Sequence, residues 1–127
     1  MSDKAWRKEV RSIVNDTIAE IEYVPEAKGE NHWQTPAETL ERGTGDCEDI
    51  QLLIRARLID FNLITKSRLL LGIDDEYKVG HAILKVWHEG RPYHICNVRG
   101  LSRKLQHFNT TRGVGDQALD IHSGRKG

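Results

Sequence analysis

A single cysteine lies among three carboxylates in the sequence GTGDCEDI, which spans residues 43–50. Cys47 is flanked by Asp46, Glu48 and Asp49, follows two glycines and precedes an apolar run. A cysteine attacks a carbonyl carbon as the thiolate, and a free thiol with a pKa of ~8.5 is ionised only to a small extent at neutral pH. A helix N-terminus and a nearby imidazole favour the thiolate, whereas neighbouring carboxylates oppose it. Cys47 is therefore a candidate nucleophile whose acidic neighbours must be offset if it reacts.

His81 is the strongest candidate for the base among the six histidines of the chain. It follows Gly80, opens a predicted strand and comes directly after a polar loop. An imidazole at the start of a strand is well placed to face the end of a helix. The pattern therefore predicts a Cys47–His81 pair of the kind that thiol-dependent acyl-transfer enzymes use.

A third residue that orients the imidazole is expected on the strand after the turn at Glu89-Gly90. A two-residue loop there places residue 81 opposite 98, with Cys96 on the same face as His81. A three-residue loop places residue 81 opposite 99, with Asn97 on that face. The sequence leaves both registers open. Asn97 is the predicted third member, because an amide can orient an imidazole and a thiol is a poor choice for that role.

The same residues also fit a purely structural interpretation. Cysteine is among the residue types most often buried in a core, and acids in the first turn of a helix cap it and complement its dipole. Trp33 and Gln34 could line the site, but packing on the helix is the simpler expectation. A transition-metal site is a further alternative, for which the ligand spacing offers little support; it would use Cys47, His81, His94 and Cys96.

The elements that would position these residues can be predicted from periodicity. Apolar residues at three- and four-residue steps predict an amphipathic helix over residues 6–21. Thr35, Pro36 and Glu38 predict a capped short helix that ends at Gly43. A buried helix is expected to begin at Asp46, and strands are predicted over 67–73, 81–87 and 93–98. Helices followed by an antiparallel sheet indicate the α+β class.

Composition narrows the possible functions. The chain has 127 residues, with 19 Lys plus Arg and 19 Asp plus Glu, so its formal net charge is zero. We therefore predict no nucleic-acid partner and no membrane partner, and one domain over residues 1–127 with a polar, loose tail from about residue 110. The N-terminus lacks the apolar segment of a signal peptide, which predicts a cytoplasmic protein. Neither cysteine belongs to a Cys-x-x-Cys pair, and a disulfide is disfavoured in that compartment.

Residues 32–63, HWQTPAETLERGTGDCEDIQLLIRARLIDFNL, resemble the bacterial transglutaminase-like cysteine proteinases of the LapG type. IEYVPE upstream and GHAILKVW downstream are similar to the same family, so that the resemblance covers about residues 21–98. The matching positions are Trp33, Thr35, Pro36, Glu38, Thr39, Leu40, Gly43, Gly45, Asp46, Cys47, Glu48 and Asp49.

The resemblance implies a papain-like transglutaminase core with Cys47 as nucleophile and His81 as base. It also implies Ca²⁺ as a cofactor, held by Asp46 and Glu48 with help from Asp49. Calcium would neutralise the acids beside the thiol, and oxygen ligands are those that it prefers. The third family residue is usually an Asp followed by Asn, and here those two positions read Cys96 and Asn97.

The leading hypothesis is a cysteine peptidase that acts on a protein or peptide substrate through Cys47, His81 and Asn97. Transamidation is an alternative, because the sequence does not distinguish water from an amine as the acyl acceptor. A second hypothesis is a transglutaminase-like binding module with weak or no catalysis, which the unusual Cys96 supports. The short, leaderless chain fits a cytosolic bacterial or phage-encoded relative, and its oligomeric state stays open.

Overall fold

The computed structural model describes residues 1–25 and 32–124 and confirms the predicted α+β class. Pro25 and Gly29 predict a loop over residues 23–31, of which residues 26–31 lie outside the described residues. Within those ranges, no helix is both long and apolar enough to cross a membrane. The elements are, in chain order, α1 (Asp3–Glu20), β1 (Glu22–Tyr23), α2 (Pro36–Arg42), β2 (Thr44–Gly45), α3 (Cys47–Asp60), β3 (Ser67–Asp74), β4 (Val79–His88), β5 (Arg91–Cys96), β6 (Gly100–Ser102), β7 (Phe108–Gly115) and α4 (Asp116–Ser123).

Helix α1 covers the core with the apolar stripe that its sequence predicts. Ser2 caps it by accepting a 3.1 Å hydrogen bond from the backbone N–H of Ala5. The buried residues of the helix follow three- and four-residue steps, and the indole N–H of Trp6 donates to the Leu63 carbonyl at 2.7 Å. This contact anchors α1 to the loop that follows α3.

Capping boxes set the starts of α2 and α3, as the sequence predicts. Thr35 and Glu38 exchange side-chain-to-backbone hydrogen bonds at the start of α2. Asp46 and Asp49 do the same at the start of α3. Gly43 ends α2 in the left-handed conformation, with φ of 69°, which a glycine adopts without steric cost. The caps thus fix where α3 begins, and Cys47 is its first residue.

Helix α3 is the central helix of the fold. It packs between α1 and the sheet, and residues on almost all of its sides are buried. One core cluster joins α1 and α3 to β4 and β5, and a second joins α3 to β3, β4 and α4. A helix that is apolar on most sides is expected in such a position. Its N-terminal end therefore has a fixed place relative to β4.

The main sheet is antiparallel, with the strand order β6-β5-β4-β3-β7. The hairpin between β4 and β5 pairs His88 with Arg91, so its loop has the two residues Glu89 and Gly90. Both have positive φ, 50° and 77°, as a type I′ turn requires. The strand predicted over 93–98 is in fact Arg91–Cys96. The register is the first of the two alternatives, in which residue 81 falls opposite 98.

The prediction of a loose tail from about residue 110 is wrong over most of its length. Strand β7 pairs with the outer edge of β3, and α4 follows it directly. β7 is mostly exposed, so its backbone hydrogen bonds hold it in the sheet and no alternating apolar pattern marks it in the sequence. Leu119 is the fully buried residue that anchors α4 in the core.

A buried arginine connects α4 to the centre of the molecule. The guanidinium of Arg55 donates to Ser67 Oγ at 2.8 Å, to Asp116 at 2.9 Å and to Asp120 at 2.7 Å. Burial raises the pKa of the Asp116 carboxyl, but hydrogen bonds from Ser67 and Arg55 outweigh it and leave the pKa below its usual range. Together with the buried Leu119, these contacts hold α4 against the rest of the fold.

Arg55→Ala is expected to lower the free energy of unfolding by about 3 kcal/mol, because it leaves two partly buried carboxylates without their partner. Urea denaturation measures this change. Arg57→Ala is the matched control, since Arg57 lies on the same helix and pairs with Glu20, but its side chain is 25% exposed against 2% for Arg55. The control should lose no more than about 1 kcal/mol. Equal losses in the two variants would contradict a structural role for the buried cluster.

Candidate active site

Cys47 is buried at the N-terminal end of α3, as the sequence predicts. It is 6% exposed and packs with Leu52, Leu69 and Ala82. The glycine two residues earlier is needed for this approach, because a Cβ on Gly45 would lie 2.8 Å from the Cβ of Asp49. The thiol is thus placed at the junction between the start of α3 and the start of β4.

Two groups contact the thiol directly. The S–H donates to the Glu48 carboxylate at 3.1 Å, and the backbone N–H of Ala82 donates to the sulfur. Burial raises the pKa of the Cys47 thiol strongly, the charges of Glu48 and Asp46 raise it further, and the Ala82 N–H lowers it. The carboxylates therefore do oppose ionisation, as expected from the sequence. In this state Cys47 is a protonated thiol.

The other two acids play different parts. Asp49 is 5% exposed, and its carboxylate accepts from the backbone N–H groups of Gln34, at 2.8 Å, and Asp46, at 3.0 Å. The side-chain amide of Gln34 donates to it as well, at 3.2 Å. Burial raises the pKa of Asp46 to about 8, and the charges of Glu48 and Asp49 add to that effect. Asp49 thus holds the loop before α2 against α3. Asp46 caps α3, and burial and the neighbouring charges disfavour its ionised form.

The three acids fit a calcium ion only in part. Among residues 1–25 and 32–124, no ion pair reaches any of the three. Asp46 and Glu48 each accept a hydrogen bond on one carboxylate oxygen, from the Asp49 N–H and the Cys47 thiol. Their other oxygens are hard ligands that suit calcium. Asp49 does not fit, because its two oxygens already accept hydrogen bonds. In the same ranges, no group of three or more His, Cys, Asp or Glu side chains is arranged to hold a metal.

His81 lies near the start of β4 and is 9% exposed. Its Nε2 atom is 3.1 Å from the Sγ atom of Cys96, and its ring meets Phe108 edge to face. Side chains alternate along a strand, so His81 points to the opposite face of β4 from Ala82. Because Nε2 is engaged by Cys96, Nδ1 is the nitrogen left to exchange a proton.

Cys47 contacts β4 at the peptide unit that follows His81. The sulfur of Cys47 lies against the backbone N–H of Ala82, the residue directly after His81. In the described structure the S–H donates to Glu48, while His81 contacts Cys96 through Nε2. The structure thus brings Cys47 to the backbone beside His81, while the contacts of the two side chains are with Glu48 and Cys96. The sequence indicated Glu48 as a metal ligand, but its contact with the thiol was not predicted.

Asn97, the predicted third residue, lines the same cavity as His81 but is not the residue at its Nε2 atom. The structure places Cys96 at the imidazole nitrogen, and within the described residues the Oδ1 atom of Asn97 is buried without a hydrogen-bond partner. The two-residue hairpin loop produces this arrangement, since it puts Cys96 on the face of His81. The sequence signal for this turn was weak, because Gly90 suits a type I′ turn but Glu89 is not a residue that favours positive φ.

The remaining candidates are dispersed. Gln34 is buried, and its amide donates to the Thr44 carbonyl at 3.0 Å, so it has a structural role in the loop. Trp33 packs against the cluster that contains Cys47 and meets His122 edge to face. His94 contacts the Arg103 carbonyl through Nδ1 at 3.1 Å. The alternative of a transition-metal site thus gains no support, since His94 is directed to another partner.

Two cavities open beside these residues. One, of about 620 Å³, is mainly apolar, and His81 and Asn97 form part of its wall together with Ile50, Val79 and Val98. The other, of about 420 Å³, is more polar and is lined by His32, Trp33, Glu48, Leu71, Arg112 and His122. His81 lines the first cavity and Glu48 the second, whereas Cys47 lines neither of these two cavities.

Residues 1–99 match a family model described as bacterial transglutaminase-like cysteine proteinase BTLCP. The match includes Cys47, His81, Cys96 and Asn97. It ends before β6, β7 and α4. No curated protein matched the chain.

Solved structures of LapG from Legionella pneumophila share the fold. The calcium-bound form has a TM-score of 0.65 and 16% identity, over 89% of this chain and 65% of LapG. The EGTA-treated form has a TM-score of 0.68 and 14% identity, over 84% and 62% of the two chains. A third LapG structure has a TM-score of 0.70 and 14% identity, over 94% and 77%. The chain thus spans slightly less than two thirds of the first two LapG chains, and the expected transglutaminase-like fold is confirmed.

Proposed function

Since the chain belongs to the bacterial transglutaminase-like cysteine proteinases, we propose that it hydrolyses a peptide bond with Cys47 as the nucleophile. The observation that carries this proposal is the position of the thiol. Cys47 begins a buried helix, and its sulfur lies against the backbone N–H of the residue after His81. The nucleophile therefore lies at a helix N-terminus and against the strand that carries the candidate base, and acyl transfer can proceed from these parts once the imidazole faces the thiol.

The reaction follows from these positions. His81 Nδ1 takes the thiol proton, and the Cys47 thiolate attacks the carbonyl carbon of the substrate. The Asp46 carboxylate accepts a hydrogen bond from the backbone N–H of Asp49. The backbone N–H groups of Cys47 and Glu48 have no partner within the helix, so they are the ones that can stabilise the developing oxyanion. His81 then protonates the leaving amine, and water hydrolyses the thioester that remains on Cys47. The proton must first leave its hydrogen bond to Glu48, so the described state is a resting one.

The two cavities suggest how the substrate lies. An extended polypeptide that crosses Cys47 would place side chains into the apolar cavity beside His81 and into the polar cavity beside Glu48. Residues such as Val79 and Val98 are more than half exposed there, although they are apolar, which is typical of a surface that binds a partner. We therefore infer a protein or peptide substrate with an apolar side chain next to the scissile bond.

A degenerate peptide library tests the activity. The library is incubated with the wild-type protein, with and without calcium, and products are identified by mass spectrometry. Cleavage that is absent from Cys47→Ala, together with a thioester trapped on Cys47, would establish the proposal. Addition of a fluorescent primary amine distinguishes hydrolysis from transamidation, because an amine acceptor labels the peptide at the new end. A complete absence of cleavage and of acyl-enzyme would contradict the peptidase proposal.

A peptide-binding module is the second candidate, and the state of the thiol favours it. Burial and the neighbouring acids raise the pKa of Cys47 strongly, as expected for a thiol that does not react. Such a module would retain library peptides without cleaving them. Binding of the same peptides by wild type and Cys47→Ala, with no product in either case, would identify it.

Calcium is the third part of the proposal. LapG has been solved in calcium-bound and EGTA-treated forms, and in this chain Asp46 and Glu48 would hold the ion. When bound, it would supply the positive charge that the acids beside the thiol lack. Asp49 is excluded from the set that the sequence predicted, because its oxygens are already engaged.

Glu48→Gln is expected to weaken calcium binding on the order of tenfold or more, because affinity depends on the number of charged oxygen ligands. Isothermal titration calorimetry with CaCl₂ measures the change. Glu41→Gln on α2 is the control with the same substitution, since Glu41 is an exposed residue outside the acidic group. Unchanged affinity in Glu48→Gln, or no binding by the wild type, would contradict this part of the proposal.

A further inference from the structure

The hydrogen bond between His81 and Cys96 is unusual for an imidazole that acts as a base. The Nε2–Sγ distance is 3.1 Å, and both side chains are buried, at 9% and 5% exposure. The hairpin register fixes the contact, because it sets the two residues on one face of neighbouring strands. No rearrangement of the loop is needed to bring them together.

The sulfur of Cys96 is surrounded by donors. Besides the imidazole, the backbone N–H of Val98 lies 3.4 Å from the sulfur, and the backbone N–H of Arg99 also donates to it. A neutral thiol has a proton of its own to place, whereas a thiolate is only an acceptor. Two backbone donors are directed at the sulfur, and the Nε2–H tautomer of His81 would add a third, which is the set of donors that an ionised sulfur can accept.

The groups around Cys96 supply little net positive charge, since the nearest guanidinium is paired and burial lowers the pKa of His94. Arg99 follows the strand, and its guanidinium is paired with Asp74 of β3 at 2.6 Å. His94 and Lys104 line a small cavity that Cys96 also borders. Burial raises the pKa of Cys96, but the hydrogen bond from His81 and those from Arg99 and Val98 outweigh it and leave the pKa below its usual value.

We propose that Cys96 is an anionic positioning residue for the reaction, a thiolate that holds the Nε2–H tautomer of His81 and stabilises the imidazolium that forms. The proposal rests on the peptidase activity proposed above. In the proton-transfer step the proton moves from Cys47 Sγ to His81 Nδ1, and the positive ring then lies 3.1 Å from a negative sulfur. A neutral amide or alcohol in that place could orient the ring, but it could not offset its charge.

The chain is well suited to a spectroscopic test, because it has two cysteines. In Cys47→Ala, Cys96 is the only thiol, so the ultraviolet absorbance of the thiolate reports its ionisation alone. We expect Cys96 to titrate below the ~8.5 of a free thiol, and we expect His81→Ala in the same background to raise that value. Nitrogen-15 spectra of His81 should show the Nε2–H tautomer in Cys47→Ala and a mixture when Cys96 is also replaced by serine. This readout does not depend on any substrate.

Kinetics test the role in catalysis. Cys96→Asp keeps an anion at Nε2, whereas Cys96→Ser keeps the shape and loses the charge. We expect kcat within about tenfold of wild type for Cys96→Asp and a loss of about 100-fold or more for Cys96→Ser, with KM nearly unchanged in both. Asn97→Ala should have a small effect. Urea denaturation of each variant separates loss of function from loss of folding.

Every outcome decides one of the two proposals. A Cys96 that titrates as an ordinary thiol, indifferent to His81→Ala, would overturn the anionic role whether or not peptides are cleaved. An ionised Cys96 with equal kcat in the Asp and Ser variants, or a larger loss in Asn97→Ala than in Cys96→Ser, would overturn the positioning role. If the wild type cleaves no peptide, the peptidase proposal fails and the catalytic role of Cys96 fails with it, while the titration still decides its ionisation.

Discussion

Cys47→Ala is expected to abolish peptide cleavage, with a loss of about 10⁶-fold in kcat, because no other group in the site can form the acyl-enzyme. The variant should fold normally. The side chain of Cys47 is small, it is already packed against Leu52, Leu69 and Ala82, and alanine suits the first turn of a helix. Initial rates on a peptide identified by the library screen measure the loss.

Cys47→Ser is the companion to this variant, since it keeps a hydroxyl in the place of the thiol. An alcohol is a far weaker nucleophile than a thiolate near neutral pH, so Cys47→Ser should be nearly as inactive as Cys47→Ala. Circular dichroism and urea denaturation confirm that both variants fold. Appreciable cleavage by either of them would show that the nucleophile lies elsewhere, since Cys96 is the only other cysteine of the chain.

His81→Ala is expected to lower kcat by about 10³- to 10⁴-fold with little change in KM, because it removes both the base and the acid for the leaving amine. His107 is a useful control, since it is an exposed histidine whose imidazole lies 3.5 Å from a carboxylate oxygen of Glu76. His107→Ala should retain nearly full activity. Comparable losses in the two variants would argue against a specific role for His81.

A partial rescue strengthens the test of the base. Added imidazole can occupy the space that His81→Ala leaves and can transfer the proton in place of the missing ring. Recovery of activity by imidazole in His81→Ala, but not in Cys47→Ala, would separate a chemical role from a structural one. No rescue at any imidazole concentration, in a variant that folds normally, would point to a packing role for His81.

Much of the scaffold could be predicted because local signals agreed with the tertiary structure. The capping boxes at Thr35 and Asp46 fixed the starts of α2 and α3, and the all-round apolar pattern of α3 indicated a central helix. These signals depend on a few neighbouring residues, so they survive without knowledge of the rest of the chain. They also place Cys47 at the N-terminus of α3, which is the main feature of the site.

The C-terminal elements could not be predicted for a physical reason. Strand β7 is stabilised by backbone hydrogen bonds to β3, and its exposed side chains show no alternation. Helix α4 is held by Leu119 and by the ion pairs of Asp116 and Asp120 with Arg55, a residue 61 positions earlier in the chain. Contacts between such distant residues leave no periodic signal in the sequence.

The length of the β4–β5 hairpin loop, which is two residues rather than three, decides which residue of β5 faces His81. A shift of one residue exchanges the two faces of a strand, so the choice between Cys96 and Asn97 followed entirely from that turn. Glu89 and Gly90 have the positive φ angles of a type I′ turn, which joins two strands through a loop of two residues. The expectation that a neutral thiol orients an imidazole poorly favoured Asn97, whereas the structure places the sulfur of Cys96 at Nε2 of His81.

We propose that His81 can ionise the Cys47 thiol once the acids beside it are neutralised. The pH dependence of iodoacetamide alkylation at Cys47, resolved from Cys96 by mass spectrometry, tests this claim most directly in wild type and His81→Ala, with calcium and with EGTA. We predict an apparent pKa below the ~8.5 of a free thiol for wild type in calcium, and a clear rise on removal of either calcium or His81. An apparent pKa at or above the free-thiol value, indifferent to both changes, would contradict it.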